Sequence, residues 1–121
     1  MVDFNKQTCQ TITITTKTLI YYIPIGSILY FECDGTLIKV YHSESDKPYF
    51  YIHTLKNLES ELSELGFLRI CHNRLVNMKN VTGCNATLHC LHMNNGITLE
   101  ISRRKWHKIK EFQNPVTTSY I

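Results

Sequence analysis

The chain has 121 residues, of which 43% are hydrophobic and 19% are charged, and its formal net charge is +3. This length predicts one domain with a single core, and the composition excludes an intrinsically disordered protein. The longest apolar run, residues 19–25, is far shorter than the roughly 20 residues of a membrane-spanning helix. The N-terminus has no apolar segment of the kind that a secretory signal needs. We therefore expect a cytoplasmic protein without a membrane partner.

The charge is distributed unevenly along the chain. Residues 1–68 carry a net charge of −3, whereas residues 69–121 carry a net charge of +6. A cationic half within a mildly basic domain is typical of a protein with a polyanionic partner, and a solvated basic surface explains the same charge equally well.

The first half of the chain predicts strands. Residues 1–9 are expected to form a flexible lead-in, and residues 10–18 alternate Thr with Ile, as amphipathic strands do. Residues 27–42 predict a β-hairpin, residues 43–48 a polar turn and residues 49–53 a further strand.

The turn of this hairpin is predicted at Asp34-Gly35, because this dipeptide suits a type I′ turn, which needs positive φ at both central positions. Pairing outward from that turn places Phe31 opposite Ile38. The side chains then expected to face inward are Leu29, Phe31, Ile38 and Val40.

Residues 54–66 predict a helix. Thr54 suits the N-cap position, Gly66 suits the left-handed position that ends a helix, and four leucines between them fall on one face. Acidic residues make the outer face negative, so we interpret this helix as structural.

The second half of the chain predicts further strands over residues 67–72 and near residues 75–81. A second hairpin is expected over residues 86–102, with its turn at Asn94-Asn95-Gly96 and with Leu88 and Cys90 facing Leu99 and Ile101. Residues 103–112 predict a short helix, and residues 113–121 a C-terminal tail. The fold class is therefore mostly β, with small antiparallel sheets packed as an elongated β sandwich, one or two short helices and a single domain over residues 10–112.

No motif for catalysis or for a cofactor is present. The five glycines are isolated, the acids fall on the helix and in turns, and Cys71 and His72 are strand neighbours whose side chains point to opposite faces. Cys84, His89, Cys90 and His92 lie close together in the sequence and could instead form a zinc site. These four residues, however, contain no pair at the spacing of known zinc motifs. We predict that the chain is not an enzyme, that its cysteines are free thiols, and that it binds no cofactor or metal.

Two short polar clusters stand at predicted strand ends, "CHNR" at residues 71–74 and "SRRK" at residues 102–105. Arg can form paired hydrogen bonds with guanine and Asn with adenine, while Ser and Lys suit phosphates. Each residue also has an ordinary reading, since Asn73 and Asn77 can cap turns and the arginines can be solvated.

Four segments taken together resemble the LytTR-type DNA-binding domain, which is common in bacterial response regulators. They are "IPIGSILYFECDG" (residues 23–35), "LKNLESELSELGFLRICHNRLVN" (residues 55–77), "NNGITLEISRRK" (residues 94–105) and the basic "KWHKIKEF" (residues 105–112). The resemblance implies a predominantly β fold that binds successive major grooves of DNA through loops and strand ends.

The resemblance and the two clusters together predict the contact residues. Candidates for base contacts are His72, Arg74 and Arg104. Candidates for phosphate contacts are Arg69, Asn73, Lys79, Ser102, Arg103, Lys105 and Lys108. A third contact of the family lies in the first hairpin turn, where this chain has neither His nor Arg, so only Thr36 or Lys39 is offered there.

These observations predict a sequence-specific transcriptional regulator that binds double-stranded DNA. Two protomers on paired direct repeats and a protein partner that supplies the signal are further expectations from the family. The alternative is a β module that binds an acidic protein partner and no nucleic acid. The chain lacks the interleaved aromatic residues of base-stacking surfaces, which argues against RNA binding.

Overall fold

The structure is a computed structural model that describes residues 10–111. The predicted lead-in (residues 1–9) and tail (residues 113–121) lie outside these residues. The helices are α1 (Leu55–Leu62) and α2 (Arg103–Glu111), and short 3-10 turns span Ile25–Ser27, Ser63–Leu65 and Met78–Asn80. The strands are β1 (Thr11–Thr15), β2 (Ile20–Pro24), β3 (Ile28–Asp34), β4 (Leu37–His42), β5 (Ser45–Ile52), β6 (Phe67–Cys71), β7 (Arg74–Asn77), β8 (Val81–Asn85), β9 (Cys90–Met93) and β10 (Thr98–Glu100).

These strands form three antiparallel sheets. A five-stranded sheet with the order β5-β4-β3-β7-β6 lies between a β1-β2 ribbon and a three-stranded sheet with the order β10-β9-β8. The predicted fold class, mostly β with two short helices, is confirmed. Within the described range, no helix is both long and apolar enough to span a bilayer.

The first face of the five-stranded sheet packs against α1 and the β1-β2 ribbon. Its core contains Phe31, Ile38 and Val40 from the sheet together with Ile14 from the ribbon and Leu58 from α1, all at most 2% exposed. The inward isoleucines of β1 alternate with exposed threonines, as predicted. Strand β2 was not predicted.

The second face packs against the three-stranded sheet and α2. Its core is formed by Leu29, Tyr30, Ile70, Val76, Leu91, Met93, Leu99, Ile101 and Ile109. The central strand β3 therefore has buried side chains on both faces, which is the pattern of a strand inside a layered domain.

The register of the first hairpin differs from the prediction. Asp34 pairs with Leu37, so the turn residues are Gly35 and Thr36, and Phe31 lies opposite Val40 instead of Ile38. Only Gly35 has positive φ (+66°) in this turn, and a type II′ turn needs positive φ at the first central position alone. The turn moves by one residue, so the partner of each residue moves by two, and an even shift leaves Phe31 on its predicted face.

Leu29 was wrongly assigned to the same face as Phe31. A register irregularity between Ile28 and Tyr30 breaks the alternation of side chains there. Leu29 consequently packs in the core of the second face.

The predicted helix is confirmed together with both of its ends. The Thr54 hydroxyl accepts a hydrogen bond from the Asn57 amide at 3.2 Å, and Gly66 adopts φ +91°. Leu55, Leu58 and Leu62 are buried, and the last turn tightens into the 3-10 turn Ser63–Leu65.

The second hairpin is shorter than predicted. Leu91 pairs with Leu99 and Cys90 with Glu100, whereas Leu88 is 70% exposed and faces no core. The Asn85 side chain accepts hydrogen bonds from the amides of Thr87 and Leu88 at 2.9 and 2.8 Å. This side-chain turn ends β8, so that residues 86–89 are a connection and do not extend the arm.

Asn77 is buried at the end of β7 and serves the fold. Its Nδ2 donates to the Ile28 carbonyl at 3.0 Å and its Oδ1 accepts from the Lys79 amide at 3.1 Å. Of the two readings of this amide, turn capping is the correct one, because only 1% of its surface is exposed.

We predict that Asn77→Ala lowers the free energy of unfolding by about 2 kcal/mol, because it removes two buried hydrogen bonds. Urea denaturation measures this loss. Asn57→Ala, on the exposed side of α1, is the matched control and should change the free energy by less than about 0.5 kcal/mol. Equal stability of the two variants would contradict the structural role of Asn77.

The buried Tyr30 and the half-buried Tyr51 predict a loss of stability at high pH. Burial, with smaller contributions from Tyr41 and Glu32, raises the pKa of Tyr30 to about 12 from its ordinary 10.0, and burial also raises the pKa of Tyr51. Both hydroxyls hold their protons more tightly in the folded chain, so their contribution is intact below pH 10 and is lost as the pH rises toward 12.

Denaturation at a series of pH values should therefore show a decline of about 1.4 kcal/mol per pH unit for each tyrosine above pH ~10. Tyr30→Phe should reduce this slope, whereas Tyr22→Phe, which alters an exposed ring, should leave it as in the wild type. A wild-type slope that Tyr30→Phe leaves unchanged would show that Tyr30 is not involved.

Candidate nucleic-acid interface

The two polar clusters found in the sequence lie side by side at one end of the five-stranded sheet. The β6–β7 turn carries residues 71–74, and α2 begins beside β6, where the Ser102 amide donates to the Ile70 carbonyl at 2.9 Å. A groove of about 310 Å³ lies between them. It is lined by Glu59, Arg69, Cys71, His72, Ser102, Arg104 and Lys105.

A second groove, of about 390 Å³, adjoins the first and shares Arg69 and His72 with it. The β3–β4 turn and the connection from β5 to α1 complete its wall. Its other lining residues are Cys33, Gly35, Thr36, Ile52, His53, Thr54, Leu55 and Lys56. The β3–β4 turn, the β6–β7 turn and the start of α2 thus share one end of the molecule.

Arg69 is bonded within the domain. Its Nη1 donates to Glu59 Oε1 at 3.0 Å, its Nε donates to the Cys71 carbonyl at 3.0 Å, and its Nη2 donates to the His72 carbonyl. The guanidinium therefore joins α1 to the β6–β7 turn and holds the backbone that presents His72. These contacts turn its donors toward the protein.

The β6–β7 turn presents one exposed imidazole. His72 is exposed, whereas the neighbouring Asn73 is half-buried. The Asn73 carbonyl accepts from the Cys33 amide at 2.8 Å, and its Oδ1 accepts from the Cys71 thiol at 3.1 Å. The bond to Cys33 ties the turn to β3, in addition to the link to α1 that Arg69 makes.

Arg74 and Lys39 are paired with carboxylates on the second face of the sheet. Arg74 Nε donates to Glu32 Oε2 at 2.9 Å, and Lys39 Nζ lies 3.9 Å from both Glu32 Oε1 and Asp34 Oδ2. These four residues lie on the adjacent strands β7, β3 and β4. The carboxylates offset the charge of both cations.

The cations of α2 are arranged differently. Arg103, Arg104 and Lys108 are exposed and Lys105 is half-buried, and no acid among residues 10–111 forms an ion pair with any of them. Arg104 lines the first groove, whereas Arg103 does not.

Lys79 is not brought to this site. It belongs to the 3-10 turn that follows β7, and its side chain packs near Gly66, where β6 begins. Both positions are at the end of the sheet opposite to the β6–β7 turn. Lys79 was a candidate for a phosphate contact, but the length of β7 separates it from Arg74 and the β6–β7 turn.

Three residues of the second groove were missed by the sequence analysis. Ile52 ends β5, His53 connects β5 to α1 and Lys56 lies in the first turn of α1, and no motif distinguishes them in the sequence. They reach the groove because α1 crosses the first face of the sheet from the β5 edge toward β6, which is a long-range feature.

Comparison with known proteins identifies the family. Residues 18–114, most of the chain, match the family described as the LytTr DNA-binding domain. The chain belongs to the LytTR family. A search of curated proteins finds no match to this LytTR domain.

The fold of this LytTR domain has a solved counterpart. The LytTr DNA-binding domain of a Bacillus cereus protein described as a methyl-accepting/DNA response regulator superposes with a TM-score of 0.71. The two share 19% sequence identity, and the alignment covers 84% of this chain and 94% of that chain. At this identity the likeness concerns the fold.

The Arg69 contacts predict a specific loss of stability. Arg69→Leu should lower the free energy of unfolding by about 2 kcal/mol, because three hydrogen bonds from a charged donor are removed. Arg69→Lys should lose nearly as much, since an ammonium cannot reproduce the planar fork. Urea denaturation of both variants measures these losses of stability.

Arg103→Leu is the matched control for an exposed arginine and should change stability by less than about 0.5 kcal/mol. If Arg69→Lys were as stable as the wild type, the positive charge alone would explain the role of Arg69. The forked geometry of the guanidinium would then not be needed.

Proposed function

We propose that this LytTR domain binds specific sequences of double-stranded DNA by placing strand ends, turns and the first turn of α2 in the major groove, and that it acts as a transcriptional regulator. The observation that carries the proposal is the shared groove. The groove is lined by Arg69, Cys71 and His72 and also by Ser102, Arg104 and Lys105, which lie about 30 positions later in the chain.

The geometry favours a division of roles that is narrower than the one expected from the sequence. His72 and Arg104 are the base-reading residues, because both line the groove and both are exposed. Arg103, Lys105 and Lys108, with the Ser102 hydroxyl, contact phosphates, which set register and not sequence.

The remaining candidates have secondary roles. Arg69 and Asn73 position the β6–β7 turn through the bonds described above. Arg74 and Lys39 contact DNA only in competition with Glu32, and Thr36 is the polar side chain that the first hairpin turn offers to the second groove. We assign no contact to Lys79.

The charge distribution supports a polyanion at this end of the molecule. The exposed acids Glu61, in α1, and Glu64, in the 3-10 turn after it, line neither groove. The cations of α2 have no acidic partner among the described residues, so phosphates can neutralise them with release of counterions.

We further propose that the protein acts in the cytoplasm without enzymatic activity and that two protomers occupy paired direct repeats. A protein partner would supply the regulatory signal. Sedimentation of the complex with one or two copies of the repeat measures the number of protomers bound.

In vitro selection of duplexes from a random pool tests the function directly. Enrichment of one sequence motif is the expected result, and a salt titration should show weaker binding as salt increases. Polyglutamate is the control polyanion. Binding that is equally tight to polyglutamate and to every duplex would favour the alternative, a module for acidic proteins.

Arg104→Ala should lower affinity for the selected duplex by about 1–3 kcal/mol and relax the preference at one base pair. Arg103→Ala, one residue away, is the matched control. This variant should weaken binding to the selected duplex and to random duplexes equally. It should also reduce the slope of log affinity against log salt by about 0.9. Competition titrations measure both effects, and an equal loss on specific and random DNA in Arg104→Ala would show that this residue does not read a base.

A further inference from the structure

His89 has an unusual backbone conformation in the connection between β8 and β9. Its φ is +52°, and it is the only non-glycine residue with positive φ among residues 10–111. This region disfavours side chains with a Cβ, and glycine occupies it without strain. A residue kept there against that preference suggests that its side chain has a use.

The His89 side chain stacks on the indole of Trp106 in α2. The two ring centroids are 4.4 Å apart and the planes are inclined by 13°. Trp106 is itself half-buried against the core of the second face, so the stack connects the β8–β9 connection to the packed body of the domain.

The His89 backbone makes a second contact with the same region. Its carbonyl accepts a hydrogen bond from the Ile101 amide at 2.9 Å. His89 therefore contacts Ile101 through its main chain and Trp106 through its ring. The segment between these two points, residues 102–105, is the polar cluster from which Ser102, Arg104 and Lys105 line the first groove.

We infer that His89 is a positioning residue for the DNA surface: it fixes the entry into α2 and its first turn, so that Arg104 is directed into the groove before DNA arrives. The positive φ is the conformation that lets one residue reach both anchor points. This inference rests on the proposed function.

Two substitutions separate this role from a general contribution to stability. His89→Gly removes the ring and also the backbone strain, so Tm should stay within about 5 °C of the wild type. Affinity for the selected duplex should fall about 3- to 10-fold, because the ordering of this turn that one aromatic stack provides before binding must then be supplied on binding.

His89→Phe should give the opposite result. Phenylalanine keeps a ring for the stack but tolerates positive φ less well than histidine does, so Tm should fall while affinity at low temperature stays near that of the wild type. A residue that only stabilised the fold would lower Tm and affinity together.

The loss of the stack can be read without DNA. Trp106 is the only tryptophan of the chain, and a stacked imidazole quenches indole fluorescence. The emission of the full chain should therefore increase in His89→Gly. An unchanged emission would show that the rings are not stacked in solution and would overturn the inference.

The outcomes distinguish this inference from the proposed function. If the wild type enriches a motif and His89→Gly binds it as tightly, only the positioning role is wrong. If His89→Phe loses as much affinity as His89→Gly, the ring stack is not the cause and the inference also fails. If the wild type selects no duplex, the proposed function and the inference fall together.

Discussion

The five-stranded sheet is covered on both faces, and this double burial determines where the chain can carry polar function. Its central strand β3 has three consecutive residues, Leu29, Tyr30 and Phe31, that are each at most 6% exposed. A cation in the middle of such a strand would lose its hydration without gaining a partner. The polar residues that line the grooves are consequently found beyond the ends of β3 and β6, and the start of α2 lies on the same side.

Arginines of equal formal charge have different roles in this domain because of the acids next to them. Arg69 and Arg74 each lie within hydrogen-bonding distance of a glutamate, and each is part of the fold. Arg104 has no such neighbour among the described residues and remains able to bond an external acceptor. Net charge, which first indicated a polyanionic partner, does not distinguish these cases.

Local features of the fold could be predicted from the sequence. The alternation in β1, the cap at Thr54 and the glycine at position 66 depend on residues close in the chain, and all three are present in the structure. The family could also be identified, since its motifs are collinear segments. These signals act over a few residues and do not depend on the rest of the fold.

Features that depend on distant contacts could not be predicted. The hairpin register is set by the packing of both sheet faces together with the turn, and the irregularity at Ile28 has no signature in the sequence. In the candidate site, the clusters at residues 71–74 and 102–105 were found, but the pairing of Arg69 with Glu59 and the distant position of Lys79 follow from strand direction and helix placement.

The bond between Glu59 and Arg69 has a consequence for how such domains diverge. It makes the solvent-facing side of α1 a determinant of the shape of the neighbouring turn, although that helix is unsuited to touching DNA. Substitutions there can change the shape of this turn while the turn's own residues stay the same. Under the function proposed above, two relatives with identical contact residues therefore need not share an operator.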